Sequence, residues 1–202
     1  MTLDALPRSF FDRPSVSLAR SLLGKLLVSE LGGVRTVGRI VEAEAYRPDD
    51  PASHSFPGPT ARNRTMFGPP GHAYVYLSHG IHHCVNAVGR SGSAVLLRAL
   101  EPIEGEEAMA SRRRLGDPRL LCAGPGRLTQ ALGIRLEHDG HDLTRPDGLW
   151  IADGPSPRRV IRTPRIGISL AGEKRWRFLD AETSYASRGP RRQERATPSG
   201  RG

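Results

Sequence analysis

Residues 34–46 read Val-Arg-Thr-Val-Gly-Arg-Ile-Val-Glu-Ala-Glu-Ala-Tyr, and the alternation in the second half of this run sets the fold class. Successive side chains of a strand point to opposite faces. An extended Ile40–Tyr46 therefore puts Glu42, Glu44 and Tyr46 on one face and Val41, Ala43 and Ala45 on the other. The small apolar face packs inward, and the acidic face addresses the polar, aromatic segment that follows. Two carboxylates at i and i+2 repel, which predicts a raised pKa at one of them or an arginine partner. Either arrangement suits base catalysis. A solvated strand face is the plainer alternative.

The flanking sequence supplies the rest of an α+β architecture. Ser15–Leu23 places Leu18, Leu22 and Leu23 on one helical face, with Ser15 or Ser17 as its cap and Gly24 as its end. Lys25–Ser29, Ala73–His79, Ala94–Leu100 and Leu149–Ala152 read as strands, the middle two separated by a Gly-rich turn region. Glu104–Arg114 and Leu128–Leu132 read as helices. Strands and helices without regular βα alternation predict a mainly antiparallel sheet. Residues 47–71 hold six prolines and three glycines and form a long loop, a length that usually signals function or disorder.

The 202-residue chain carries 30 Lys+Arg against 21 Asp+Glu, a formal charge of +9. One domain with an aliphatic core fits this length, since apolar residues make up 37% and aromatics only 5%. No apolar run reaches a membrane span, no signal peptide is evident, and two cysteines make no disulfide framework; a cytoplasmic location is expected. Only Lys25 and Lys174 are lysines. The arginine bias fits phosphate recognition and equally fits high-GC coding. Residues 187–202 contain five arginines and one glutamate and no large apolar side chain, which predicts a disordered basic tail after a domain spanning 1–186.

Tyr46, Phe56, Phe67, Tyr74 and Tyr76, five of eleven aromatic residues, fall between positions 46 and 76 together with His54, Arg62, Asn63, Arg64 and His72. Rings and cations gathered around one loop suit a flat, electron-poor ligand next to a polyanion. Tyr74 and Tyr76 lining one strand face is the alternative. His79, His82, His83 and Cys84 have zinc-ligand character, but His82 and His83 would point to opposite faces and no second ligand pair sits at finger spacing. No metal is expected. Gly124–Arg127 before a short helix offers either a phosphate contact or a tight turn.

Eight blocks resemble, in order, the alkyladenine (3-methyladenine) DNA glycosylase family: ARSLLGKLLV (19–28), RIVEAEAY (39–46), DPASHS (50–55), TARNRTMFGPPGHAYVY (60–76), HGIHHCVN (79–86), AVLLRALEPIEG (94–105), GPGRLTQALGI (124–134) and RIGI (165–168). The resemblance covers about residues 15–170. It implies a single compact domain, without metal or redox cofactor, that acts as a monomer on double-stranded DNA. Such proteins flip a damaged purine from the duplex and hydrolyse its N-glycosidic bond. By the same resemblance Glu44 is the base that activates water and Arg98 helps hold that water. Tyr46, His54 and Tyr76 sandwich and hydrogen-bond the flipped base, and Asn86 screens out normal guanine. A hairpin at 78–82 enters the minor groove. The family's intercalating tyrosine is His79 here, with Ile81 as a neighbouring apolar wedge, and Arg62 and Arg64 face phosphate.

The residue types fit this chemistry on their own. Flipping costs unstacking, which aromatic rings replace, and a cationic 3-methyladenine is attracted to ring faces. A carboxylate stabilises an oxocarbenium-like state and deprotonates water. The only lysines are Lys25, in an apolar segment, and Lys174, near the C-terminal end, which argues against Schiff-base chemistry, so an intact abasic site is the expected product. A non-catalytic binder of distorted DNA and a hydrolase of free nucleosides are the competing readings.

Overall fold

Every strand pairing in the computed structural model, which describes residues 3–187, is antiparallel. The strands are β1 (Leu26–Ser29), β2 (Thr36–Tyr46), β3 (Ala73–Ser78), β4 (His82–Val88), β5 (Ala94–Glu104), β6 (Leu149–Ala152), β7 (Val160–Thr163) and β8 (Arg177–Asp180). They form one sheet in the order β3-β4-β5-β2-β1-β6, with β8 joined to β2 and β7 to β8. The α+β class expected from the sequence is the one found.

Strand β2 is the spine. One of its edges runs along β5, while the other pairs with β1 over Thr36–Arg39 and then with β8 over Glu42–Glu44. Register shifts at Val37/Gly38, between Ile40 and Glu42, and at Glu42/Ala43 mark this change of partner. Such irregularities bend a strand and re-aim its side chains. Gly38 is required by close packing, since a Cβ there would lie 2.8 Å from Leu100 Cβ.

Five α-helices among the described residues accompany the sheet: α1 (Arg8–Phe11), α2 (Ser15–Leu22), α3 (Glu106–Arg113), α4 (Pro118–Leu121) and α5 (Pro125–Leu132). Helix α2 buries Leu18, Ala19 and Leu22 against β2 and β5. Each fully buried leucine contributes about 1.5–3 kcal/mol. Its expected serine cap is not made: Pro14 is the N-cap, Ser15 is already helical, and Ser17 Oγ donates backwards to the Pro14 carbonyl at 2.9 Å. Gly24 ends the helix with φ +85°, and a Cβ there would sit 2.0 Å from the Pro155 carbonyl oxygen. Helix α3 carries Glu106 and Glu107 in its first turn and Arg112 and Arg113 in its last, matching its dipole.

The region between β3 and β5 is not simply a turn. It contains β4, an inner strand, whose His82, His83 and Asn86 masked its strand character. Strands β7 and β8 were also missed, being four residues each with one arginine apiece. The loop 47–72 is ordered by its own polar groups: Asp50, Ser53, Ser55 and Asn63 are buried within it. The basic tail expected over 187–202 lies outside the described residues except for Ser187, which is buried. Among the described residues no helix is long and apolar enough to cross a membrane.

Candidate active site

Period-two alternation on four adjacent strands builds one wall of a cavity of about 510 Å³. Tyr74, Tyr76 and Ser78 of β3, Cys84 and Asn86 of β4, Ala94, Leu96 and Arg98 of β5, and Tyr46 of β2 all face it. The intervening Val75, Val85, Val95, Leu97, Ala43 and Ala45 face the apolar core. Two loops complete the cavity: 47–72, through His54 and Met66, and the segment after β7, through Ile166, Ile168 and Leu170.

Glu42 and Glu44 do share a face, and neither has any exposed surface. Arg98 bridges them, its Nε donating to Glu42 Oε1 at 2.9 Å and its Nη1 to Glu44 Oε2 at 3.2 Å. The solvated-face reading is thereby excluded, and both the arginine partner and the raised pKa are present. Burial pushes the Glu44 carboxyl above its ordinary value, against the opposing pull of Arg98 and the Ile166 N–H. Glu44 Oε1 accepts from Ile166 N at 2.8 Å, and Oε2 also accepts from the Tyr46 hydroxyl at 3.0 Å. Arg98, Tyr46 and Ile166 all line the cavity, so Glu44 lies directly behind its wall. Burial and the neighbouring Glu44 carboxylate push the Tyr46 phenol far up, keeping it a donor.

Glu42 is held differently. Its Oε1 accepts from Arg98 Nε, from Arg177 Nε at 2.7 Å and from Ser187 Oγ at 2.7 Å, and its Oε2 accepts from Ser187 N at 2.6 Å. No sequence pattern links Arg177 or Ser187 to Glu42, since both pairings span more than a hundred residues.

His54 is carried by a loop that Asn63 holds, donating from Nδ2 to the His54 carbonyl at 2.7 Å and to Gly58 O at 3.0 Å. The His54 ring meets Tyr76 edge-on at 4.5 Å, and its Nδ1 shares a hydrogen bond of 2.9 Å with the Tyr74 hydroxyl. Partial burial and then Arg62 hold the His54 imidazole below its usual pKa. Tyr74 and Tyr76 stack at 5.5 Å, so they share a strand face and also a cavity. Asn86 Nδ2 donates to the Tyr74 carbonyl at 3.0 Å, which orients the amide in the wall. The structure thus brings Tyr46, His54, Tyr76, Asn86 and Arg98 to one cavity. Of the other residues grouped by sequence, Phe56 is exposed, and Phe67 and His72 do not line it.

His79, Gly80 and Ile81 form the tip of the β3–β4 hairpin, with His79 at the cavity edge and Ile81 71% exposed. His79 has φ +51°, a left-handed conformation that histidine tolerates better than most side chains. Arg62 and Arg64 are exposed, and Arg62 Nη2 donates to the Leu77 carbonyl at the base of the hairpin. Gly124 precedes α5, whose Pro125 reaches the cavity. Lys25 is paired with Asp153 and neither lysine lines the cavity. A second cavity, about 840 Å³, lies beside Ile81, His82, Thr129 and Arg135, but no Phe, Tyr or Trp and no buried carboxylate lines it. Its size does not make it the reacting site.

Sequence reasoning missed Asp50, Arg165, Ile166, Ile168 and Leu170 as parts of the site. An arginine opening an otherwise apolar RIGI block was the available signal for Arg165.

Comparison with known proteins identifies the family. The family model described as "Methylpurine-DNA glycosylase (MPG)" matches residues 9–184. A protein of Rubrobacter xylanophilus named "Putative 3-methyladenine DNA glycosylase" is 55% identical over 162 residues, covering 78% of this chain and 84% of that one. Proteins carrying the same name are 51% identical in Nitrosospira multiformis, over 90% of this chain and 93% of theirs, and 45% identical in Methanocella arvoryzae, over 92% and 97%.

Proposed function

This chain belongs to the methylpurine-DNA glycosylase family, and from that premise we propose that it excises alkylated or deaminated purines of the 3-methyladenine type from duplex DNA. The observation that carries the reading is a buried glutamate, Glu44, set behind an aromatic cavity and held by Arg98, the Tyr46 hydroxyl and the Ile166 N–H. A cavity of about 510 Å³ has room for a purine base.

The damaged base turns out of the duplex and stacks on Tyr46 and Tyr76, with His54 at its edge and Asn86 against guanine's exocyclic amine. His79 and Ile81 fill the space it leaves, and Arg62 and Arg64 contact phosphate. The C1′–N bond then breaks with its electron pair going to the base, and water attacks C1′ while its proton passes to Glu44. Oε2 of Glu44 already accepts from Tyr46 and Arg98 while Oε1 accepts only from the Ile166 N–H, so the water takes the remaining acceptor position on Oε1. Arg98, still bonded to Glu44 through Nη1, helps hold that water. A cationic base leaves neutral without a proton; a neutral lesion needs one and leaves more slowly.

The reaction draws on water and the chain's own side chains, with no metal or redox group. Neither lysine is at the cavity, which supports hydrolysis without a Schiff base and an intact abasic product. The protein acts as a monomer wherever chromosomal DNA is held.

Single-lesion duplexes, cleaved with alkali at abasic sites, test this. Wild-type protein is expected to release at least one alkylated purine, Glu44→Gln to release none while still binding the DNA. Failure of the wild type on every alkylated purine overturns the reading in favour of a non-catalytic binder. Release from free nucleosides as fast as from duplex would point to a nucleoside hydrolase. A borohydride-trapped protein–DNA adduct would refute the hydrolytic course.

A further inference from the structure

Arg165 stands behind the cavity wall, with its side chain wholly buried and no part of it in the lining. Its guanidinium makes a two-pronged ion pair with the equally buried Asp50, Nη1 bonding Oδ2 and Nη2 lying 3.1 Å from Oδ1. Nη1 also donates to the Ala45 carbonyl at 3.0 Å. The same group lies 4.6 Å from the centre of the Tyr46 ring and 5.2 Å from that of Trp176. A cation therefore sits against the ring that also lines the cavity.

The pair joins three parts of the site. Asp50 opens the loop that carries His54, its carbonyl accepting from Ser53 N at 2.8 Å. Ala45 precedes Tyr46 on β2. Arg165 precedes Ile166, whose N–H binds Glu44 and whose segment supplies Ile168 and Leu170 to the wall.

We propose that Asp50 and Arg165 together determine which bases the cavity accepts: Arg165 positions Tyr46 and the Ile166–Leu170 wall, and Asp50 cancels the charge that would otherwise repel a cationic base. This rests on the purine-excision reading above and adds a charge rule to it. A ring attracts a cation through the electron density of its faces, and here Arg165 already draws on Tyr46. A base stacked on that ring lies roughly 8 Å from the guanidinium, where an unpaired buried charge costs a cation tenfold or more. Ionic strength does little to relieve it, because buried charges are poorly screened. A neutral base feels no such charge. With Asp50 ionised, the net charge behind the ring is zero and a cationic lesion is admitted.

Single-turnover release from two duplexes, identical except for a cationic 7-methylguanine or a neutral hypoxanthine, tests the rule. Asp50→Asn keeps the shape and an acceptor for Arg165 but removes the negative charge. The ratio of cationic to neutral release is expected to fall about tenfold. Arg165→Gln leaves Asp50 uncompensated and should raise the ratio, while Arg165→Lys retains the charge and should keep it within about twofold. Loosened packing slows both substrates and cannot drive the ratio in opposite directions. Thermal melts identify which variants fold, and the sign in any one of the charge-changing variants that does is decisive. An unchanged ratio, or a shift of the wrong sign, overturns the charge rule and leaves purine excision standing. Wild-type protein that releases no alkylated purine at all overturns purine excision, and the charge rule with it.

Discussion

The hydroxyl of Tyr46 donates a 3.0 Å hydrogen bond to the carboxylate of Glu44, two residues back along the same strand. A ring that lines the cavity is thus coupled directly to the carboxylate behind it. Burial favours the protonated form of Glu44, while the Tyr46 donor, Arg98 and the Ile166 N–H favour the ionised form.

An acid-side loss of activity follows from this balance. A general base must be ionised, so base release should fall as pH drops through the Glu44 pKa, which burial holds above the ordinary carboxylate value. Tyr46→Phe removes a donor to the ionised form. Its acid limb is expected at higher pH than in the wild type, with about tenfold or greater loss at neutral pH. Rate against pH for both proteins on one neutral lesion provides the check. Superimposable acid limbs would contradict it.

Glu44 should also cost stability. Its pKa is raised in the folded protein, so its favourable contribution belongs to low pH and is lost as pH rises through that raised value. Glu44→Gln carries no charge to desolvate and is expected to melt a few degrees above the wild type at neutral pH. The two melting temperatures should converge on acidification. Calorimetry that finds the variant less stable at neutral pH would refute this.

Glu42→Gln is expected to do the opposite. Glu42 is the anion for Arg177 and shares Arg98, and it also accepts two hydrogen bonds from Ser187. Its loss leaves two guanidinium groups, each largely buried, with one carboxylate between them. A destabilisation of about 3–5 kcal/mol is expected from urea unfolding. Base release should fall too, because Arg98 loses the bond that fixes its Nε. A near-neutral change would show that Glu42 is not the anchor of this cluster.

His79→Tyr should strengthen retention of the flipped base. Phenol fills more of a vacated stack than imidazole does, a gain set against the roughly 1–2 kcal/mol that the left-handed backbone at φ +51° costs tyrosine. A fluorescent base in the duplex should report a larger flipped fraction for His79→Tyr and a smaller one for Ile81→Ala. No gain with tyrosine would remove His79 as the limiting plug.

Local patterns made part of this molecule legible. Alternation in 40–46 identified the strand and the shared face of Glu42, Glu44 and Tyr46, and helical spacing identified α2. Strand β4 escaped because its polar residues, the exposed His82, the half-buried His83 and the cavity-lining Asn86, read as a turn. Asp50 and Arg165, 115 positions apart, share no local pattern at all. Nor does the Ile166 N–H, since every residue except proline offers one.

From the chain alone came the α+β class, the aromatic loop and, through eight ordered blocks, the family resemblance. Those are properties of spacing, and spacing is written along the backbone. What the alternation could not do was tell Glu42 from Glu44, two acidic residues on the same face with nearly identical neighbours. Folding separates them: Glu42 meets Arg177 and Ser187, while Glu44 meets Tyr46 and the Ile166 N–H beside an open cavity. Burial and hydrogen-bond partners set the chemistry of a carboxylate, and in this protein most of those partners come from distant parts of the chain.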